Sequence, residues 1–308
     1  MQSKKILFFG NERLATGVTT KTPLLSSLVS SGYEIAAIVT TPQKDNRSRK
    51  QRQNEVAEFA RSHDIPLLEI GSLTNEVAVL KQFGATIGIL AAYGKIVPQA
   101  IIDIFPAGIV NLHPSLLPKH RGPTPVESAI LNNDSLTGVS LMKLVAAMDA
   151  GPVFDQVTVE LSGNEDKQYL ADRLGEIGAQ RLIDLLPAII SGQLKPEPQD
   201  DSSATYDHKI SQSDANLELT KTAELLSREI RAFYGWPRSR TNIAGQPVII
   251  TQAHADNSVQ THNPGRIQKT NSGGFGIETG SGILVIDKLI QPGGKEMSGA
   301  EYLRGHKL

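Results

Sequence analysis

Three polar side chains in apolar surroundings could do chemistry in this 308-residue sequence: Asn111, His113 and Asp149. Asn111 and His113 close an apolar run, Ala107-Gly108-Ile109-Val110, that reads as a buried strand reaching its tip. Two residues apart on an extended chain, a carboxamide and an imidazole point to the same side. One is a fixed hydrogen-bond donor and the other a titratable group, aimed at one point. Asp149, in Met148-Asp149-Ala150-Gly151, follows a second strand-like run and adds a carboxylate. Together the three can hold a developing oxyanion and manage the proton that moves with it. Open α/β sheets place their ligands at strand ends, where this set is expected to lie.

Each residue also has a plain structural reading, in which the Asn caps a turn and the His satisfies a buried acceptor. The flanking Ser115-Leu116-Leu117-Pro118 and Arg121-Gly122-Pro123-Thr124-Pro125 favour a site instead. Prolines, a glycine and an arginine just after a buried strand make a rigid, irregular loop of the kind that carries binding groups. Ser115 near a histidine invites a nucleophile, but no G-x-S-x-G elbow surrounds it.

The elements around these residues read as an α/β domain. Ile6-Leu7-Phe8-Phe9 is a short apolar strand ending at Gly10, and Leu24, Leu25, Leu28 and Val29 have helical spacing after Pro23. A second strand is expected over 34–40, helices over 54–62 and 73–83, and a strand over 86–90. Such alternation marks a mostly parallel sheet. Gly10-Asn11-Glu12-Arg13 lacks the G-x-G-x-x-G spacing, and the chain has neither a G-x-x-x-x-G-K-[ST] loop nor H-E-x-x-H. Nicotinamide redox chemistry is therefore disfavoured. After Asp149 come a strand over 153–161 and a long helix over 167–190. The proline, serine and acidic content of 191–206 reads as a linker. A helix over 223–233 and strand-like segments at 248–252, 276–279 and 283–289, parted by glycines, suggest a small β-barrel. The expected division is a domain over 1–190, a linker over 191–206 and a second domain over 207–308.

Composition narrows the classes further. A chain of 308 residues suggests two domains of ordinary size. Zero cysteines exclude a disulfide framework, a thiolate nucleophile and a thiolate metal site. Met1-Gln2-Ser3-Lys4-Lys5 runs into a strand-like segment too short for a signal peptide, and nothing approaches the roughly 20 apolar residues of a membrane span. A cytoplasmic protein is the expectation. Net charge is only −1, but residues 1–208 carry 19 Lys+Arg against 23 Asp+Glu (−4) and 209–308 carry 12 against 9 (+3). A surplus of three can attract phosphates and is equally common in domains that bind none. Lys44, Arg47, Arg49, Lys50 and Arg52 concentrate charge within nine residues, as a solvated loop or a phosphate contact.

The block from Asn111 to Pro125, with Asp149, resembles the folate-dependent formyltransferases. The likeness continues through Ala91-Ala92-Tyr93-Gly94-Lys95-Ile96-Val97-Pro98 and Arg231-Ala232-Phe233-Tyr234-Gly235-Trp236-Pro237. It extends to Gly245-Gln246-Pro247-Val248 and Gln291-Pro292-Gly293-Gly294-Lys295-Glu296-Met297-Ser298, blocks that point to the tRNA-acting members. The resemblance implies a Rossmann-like, mostly parallel sheet domain followed by an OB-like β-barrel domain, in a monomer. It implies formyl transfer from 10-formyltetrahydrofolate to the α-amino group of initiator methionyl-tRNA, without a metal. Asn111 would donate to the formyl oxygen. His113 would add a second donor and pass a proton toward the departing folate nitrogen. Asp149 would orient His113 or take the amine proton through a water. Tyr93, Gly94, Ser115, Leu116, Leu117 and Pro118 would line the folate pocket, and Arg121 would meet a folate carboxylate or an acceptor phosphate. Lys44, Arg47, Arg49, Lys50 and Arg52 would meet the acceptor end of the tRNA.

The chain departs from the family pattern in three places. Gly10-Asn11-Glu12-Arg13-Leu14-Ala15 replaces Gly-Thr-Pro-Glu/Asp-Phe-Ala, Pro114 replaces a glycine, and Asn46-Arg47-Ser48 replaces Gly-Arg-Gly. Two other readings stay open: an amino-sugar formyltransferase or formyltetrahydrofolate hydrolase, and a non-enzymatic module that binds a folate or nucleotide.

Overall fold

The computed structural model describes residues 5–42, 54–258, 263–270 and 273–306. Short apolar strands organise its first half. β1 (Lys5–Gly10), β2 (Glu34–Thr40), β3 (Leu67–Glu69), β4 (Ile87–Ala91) and β5 (Ile109–His113) lie parallel in the order β3-β2-β1-β4-β5. β6 (Leu136–Lys143) and β7 (Val153–Glu160) complete a seven-stranded sheet, each antiparallel to its predecessor. Strands buried on both faces read as unbroken apolar runs, which is why Ile6 to Phe9 show no polar alternation.

Alternation along the strands sorts their side chains into two layers. Ile6, Phe8, Ile38, Ile89, Val110, Leu112, Val139 and Leu141 face a core formed with α1 (Pro23–Ser30), α2 (Glu55–Ser62), α5 (Pro125–Leu131) and α6 (Lys167–Ile190). Leu7, Phe9, Val39, Leu90 and Ile109 face the opposite core, which holds α3 (Val77–Lys81) and α4 (Gln99–Ile102). Those two helices have only 5 and 4 residues, and along β5 their core reaches no further than Ile109. Asn111 and His113 therefore continue a face that loops cover.

The helices are set by local chemistry. Pro23 occupies the first turn of α1, and the N–H groups of Leu24 and Leu25 donate to the Glu12 carboxylate at 2.8 and 2.9 Å. Burial pushes the Glu12 carboxyl up to about 7 against those two hydrogen bonds. The expected helix over 73–83 shrinks to Val77–Lys81, since its early residues form a turn. α6 covers the expected 167–190, starting at the Asp166 cap, whose carboxylate accepts from Tyr169 N at 2.8 Å. Leu170, Leu174, Leu182, Leu186 and Ile189 form its buried stripe. Gly178 lets α6 press against the back of the strand that carries Asn111 and His113. A Cβ there would lie 2.7 Å from Leu112 Cδ1 and 2.9 Å from Val139 Cγ1.

The second half is a curled antiparallel half-barrel in the order β10-β11-β12-β9-β8, with β13 on β12. Its strands are β8 (Arg240–Ile243), β9 (Gln246–Asp256), β10 (Ile267–Lys269), β11 (Phe275–Glu278), β12 (Ile283–Ile290) and β13 (Glu296–Ser298). β8 lies outside the expected strands, although Ala244 and Gly245 supply two consecutive positive φ values, 48° and 80°, for a tight hairpin. α7 (Ala223–Ala232) buries Leu226 and Ile230 against Val248, Ile250, Leu284 and Ile286, and α8 (Gly299–Gly305) adds Tyr302 to the same core.

The stretch that reads as a linker is stitched to the first sheet. Val153 and Glu197 exchange two backbone hydrogen bonds of 2.8 Å, and Arg121 N donates to Thr205 O at 2.9 Å. The two halves meet at close range. Buried Lys167 donates to Thr16 O and to Trp236 O, both at 2.7 Å, and pairs with Glu127 at 3.4 Å. A Cβ on Gly235 would lie 2.3 Å from Gly17 O, so only main chain fits at that contact. Among the described residues, no helix is long and apolar enough to cross a membrane.

Gly178→Val tests the support behind β5. Overpacking against Leu112 and Val139 should cost about 1–3 kcal/mol in urea unfolding. An unchanged midpoint would show that α6 can retreat without consequence.

Candidate active site

β5 outruns its parallel neighbour. Asn111 pairs with Leu90 near the end of β4, and His113 extends past it with antiparallel β6 as its neighbour, opposite Ser140. Both side chains are buried, Asn111 at 6% exposure and His113 at 5%. The carboxamide of Asn111 hydrogen-bonds to no described residue, so its donors remain for an incoming oxygen.

His113 is held at one end. Its Nε2 donates to the carbonyl of His120 at 2.9 Å, which leaves Nδ1 for chemistry. Nδ1 lies 3.8 Å from Asp149 Oδ1, close enough for electrostatic attraction and too far for a direct hydrogen bond. Asp149 arrives on the segment after β6. That segment leaves Lys143 beside Val110 and runs back along β5 until the carboxylate meets the imidazole. Oδ2 of Asp149 accepts from Gly122 N at 2.8 Å, and its backbone sits at φ +48°. Both partners of the pair are therefore fixed by main-chain groups of the 120–122 turn.

That turn is clamped in its own right. His120, also at positive φ, places its Nε2 2.8 Å from Asp134 Oδ2 and its Nδ1 3.0 Å from Asp207 Oδ1. The Asp207 hydrogen bond is the largest cause of a raised His120 pKa, with help from Asp134 and against desolvation. A cavity of about 820 Å³ opens beside His120, bounded also by Thr124, Asp207, Lys209 and Lys221. Asn111, His113 and Asp149 do not line it, so it is separate from the point where they converge.

The formyl transferase profile matches residues 4–186, and the profile of the formyl transferase C-terminal domain matches 209–307. The chain belongs to the formyl transferase family. A methionyl-tRNA formyltransferase of Chloroflexus aurantiacus is 35% identical over 305 residues, covering 98% of this chain and 96% of that protein. One from Coxiella burnetii is 34% identical over 307 residues, with 99% and 96% covered. HypX from Aquifex aeolicus, solved with tetrahydrofolic acid, has a TM-score of 0.67 at 17% identity, covering 97% of this chain and 46% of that one. The methionyl-tRNA formyltransferase of Clostridium thermocellum gives 0.53 at 16% identity, with 83% and 95% covered. At such identities the two structures establish the fold.

In this formyl transferase the other expected site residues divide. Tyr93 packs edge-on against Phe9 in the α4-side core, its hydroxyl buried without a described partner and its pKa raised by burial. Gly94 faces open space, and Ile96 beside it is 79% exposed. Ser115 is fully buried and donates to Lys119 O at 2.7 Å, which leaves no free hydroxyl for a nucleophile. Ser140 fixes the same turn, donating to Ser115 O at 2.6 Å and accepting from Leu117 N at 3.0 Å. Leu117 is buried, while Leu116 and Pro118 are half-buried.

Arg121 is neither a surface residue nor an open ligand site. Its guanidinium is 2% exposed and donates to Gln199 Oε1, Tyr206 Oη and Asp201 Oδ1. Desolvation opposes its charge, but Asp201 and Tyr206 leave its pKa raised. Lys44, Arg47, Arg49, Lys50 and Arg52 lie outside the described residues. Sequence reasoning missed His120, Gly122 and Gln199. A lone His, a turn Gly and a Gln in a proline-rich stretch carry no local signal of convergence.

The His120 clamp makes stability depend on pH. Its folded pKa lies above its ordinary 6.5, so the two ion pairs stabilise fully below that value and fade as pH rises through the raised one. Urea midpoints measured between about pH 5 and pH 9 should fall more steeply for the unaltered chain than for His120→Gln. Equal slopes would remove His120 as the titrating group.

Proposed function

We propose that this formyl transferase moves the formyl group of 10-formyltetrahydrofolate onto the α-amino group of methionyl-tRNA. The observation that carries the reading is the unpartnered Asn111 carboxamide on the same strand face as His113, whose Nδ1 looks toward Asp149. Relatives that match the chain over nearly its whole length are named for this reaction, which supports the choice of acceptor.

The chemistry follows from the atoms present. The amine nitrogen attacks the formyl carbon, forming a C–N bond and placing negative charge on the formyl oxygen. Asn111 donates to that oxygen, an interaction worth about 3–4 kcal/mol where such donors have been removed from other acyl-transfer enzymes. The new ammonium must lose a proton before collapse, and the folate nitrogen must gain one as its C–N bond breaks. Protonated at Nδ1, His113 supplies a second donor to the oxyanion and can hand that proton to the departing nitrogen. The 3.8 Å separation lets Asp149 steady the imidazolium without a tight hydrogen bond, and leaves a route for the amine proton through a water. Ile96, in the loop after β4, and Met148, next to Asp149 in the chain, are 79% and 62% exposed, and such apolar side chains suit an aromatic ligand that would cover them.

Purified protein mixed with 10-formyltetrahydrofolate and methionyl-tRNA should yield formylmethionyl-tRNA. Asn111→Ala should lower kcat by about 10²–10³ and keep the fold. His113→Ala should also lose most turnover. Near-full rate in either variant, or formate release without an amine acceptor, would defeat the assignment.

The basic segment gives a second test. Replacing Arg47, Arg49 and Lys50 with Gln should weaken tRNA binding and flatten its salt dependence, by about one in log–log slope for each phosphate that is no longer neutralised. An unaltered slope would assign those charges to solvent.

A further inference from the structure

Asp149 sits at φ +48°, a left-handed conformation that aspartate enters more readily than most side chains, and its direction there is held by neighbouring groups. The Gly122 N–H fixes one carboxylate oxygen, but the main chain of Asp149 needs its own restraint. The carboxamide of Gln199 provides it. Nε2 of Gln199 donates to Asp149 O at 2.8 Å and to Gly151 O at 2.6 Å, bridging the turn on both sides of Ala150.

The orientation of that amide is dictated from behind. Its Oε1 accepts from Arg121 Nε at 3.1 Å and Nη2 at 2.8 Å. Arg121 is in turn anchored by Tyr206 Oη at 2.9 Å and Asp201 Oδ1 at 2.6 Å. A guanidinium can only donate, so the oxygen of Gln199 must face it and the NH2 group must face the two carbonyls. A proton-donating pair is thus presented to the Asp149 turn by a side chain about 50 residues away in the chain. Gln199 hydrogen-bonds to neither His113 nor Asn111, and its amide is fully used by Arg121 and the Asp149 turn.

We infer that Gln199 is a positioning residue of the formyl-transfer site, which sets the Asp149 carboxylate against His113 through its pairing with the buried Arg121 guanidinium. The inference rests on the formyl-transfer reading for what Asp149 does, not for where it sits. Its consequence is that chemistry in the 113–149 pair depends on a segment beyond the seven-stranded sheet.

Gln199→Glu tests this because it keeps a partner for Arg121 while removing both donors to the Asp149 turn. The variant should remain folded, with some loss of urea midpoint, and keep its KM values within a few-fold. Its kcat should fall by about 100-fold, the loss that a misplacement of about 1 Å can cause. The pH profile of kcat should match that of Asp149→Asn, and the double variant should be no slower than Asp149→Asn alone. Unchanged kcat, or losses that multiply in the double variant, would overturn the inference.

The same coupling can be read without turnover. In an NMR titration of the His113 ring, Gln199→Glu and Asp149→Asn should displace the curve alike and not additively. A curve untouched by Gln199→Glu overturns the inference even if methionyl-tRNA is formylated. An inactive unaltered enzyme with the expected NMR coupling overturns the acceptor assignment alone.

Discussion

The site depends on one geometric constraint: β5 is longer at its far end than the parallel strand beside it. Asn111 still has Leu90 of β4 as a neighbour, but His113 has passed the end of β4 and is flanked by β6 alone. The short helices over that face stop supplying core at Ile109. Polar side chains can therefore sit on a strand that is otherwise built from Ile, Val and Leu. Had the cover continued, an unpartnered carboxamide there would cost about 1–3 kcal/mol with nothing to offset it. The antiparallel return of β6 is equally necessary. Only a strand running the other way can release its loop beside Val110 and carry an aspartate back to the imidazole.

Around that point the protein spends main-chain groups rather than side chains on alignment. The carbonyl of His120 takes one nitrogen of His113, and the amide of Gly122 takes one oxygen of Asp149. Side chains act a step further out. His120 between two aspartates, and Arg121 among a glutamine, a tyrosine and an aspartate, keep those main-chain groups in place. Positive φ recurs at His120, Gly122 and Asp149, as expected where a chain must present consecutive polar groups in one direction.

Much of this was legible in the residues. Strand alternation and spacing were enough to put Asn111 and His113 on one face, and the apolar runs with their intervening helical stripes marked a mostly parallel sheet. The long helix from Lys167 to Ile190 showed in its own periodicity. What escaped was set by contacts distant in the chain. Arg121 reads as a ligand-binding or surface cation until Gln199, Asp201 and Tyr206 arrive from about 80 positions later. Tyr93 and Ser115 sit in family-like motifs, yet one hydroxyl is buried in the core and the other closes a turn. Proline and serine mark 191–206 as a linker, but they do not show that its polar atoms complete a network whose other half lies beside the first sheet.

The contact between Gly17 and Gly235 has a different consequence. Gly235 faces the main chain of Gly17, and a Cβ on Gly17 would lie 2.5 Å from Trp236 Cβ and 2.8 Å from Trp236 N, so the seam between the halves has no flexible side-chain end there that could repack to absorb a change. Any added carbon would act as a wedge, opening an angle that the Lys167 ammonium, reaching carbonyls on both sides, could not follow. The two halves are therefore tied at that seam by backbone and one ammonium, and their mutual pose there leaves no slack for an extra atom.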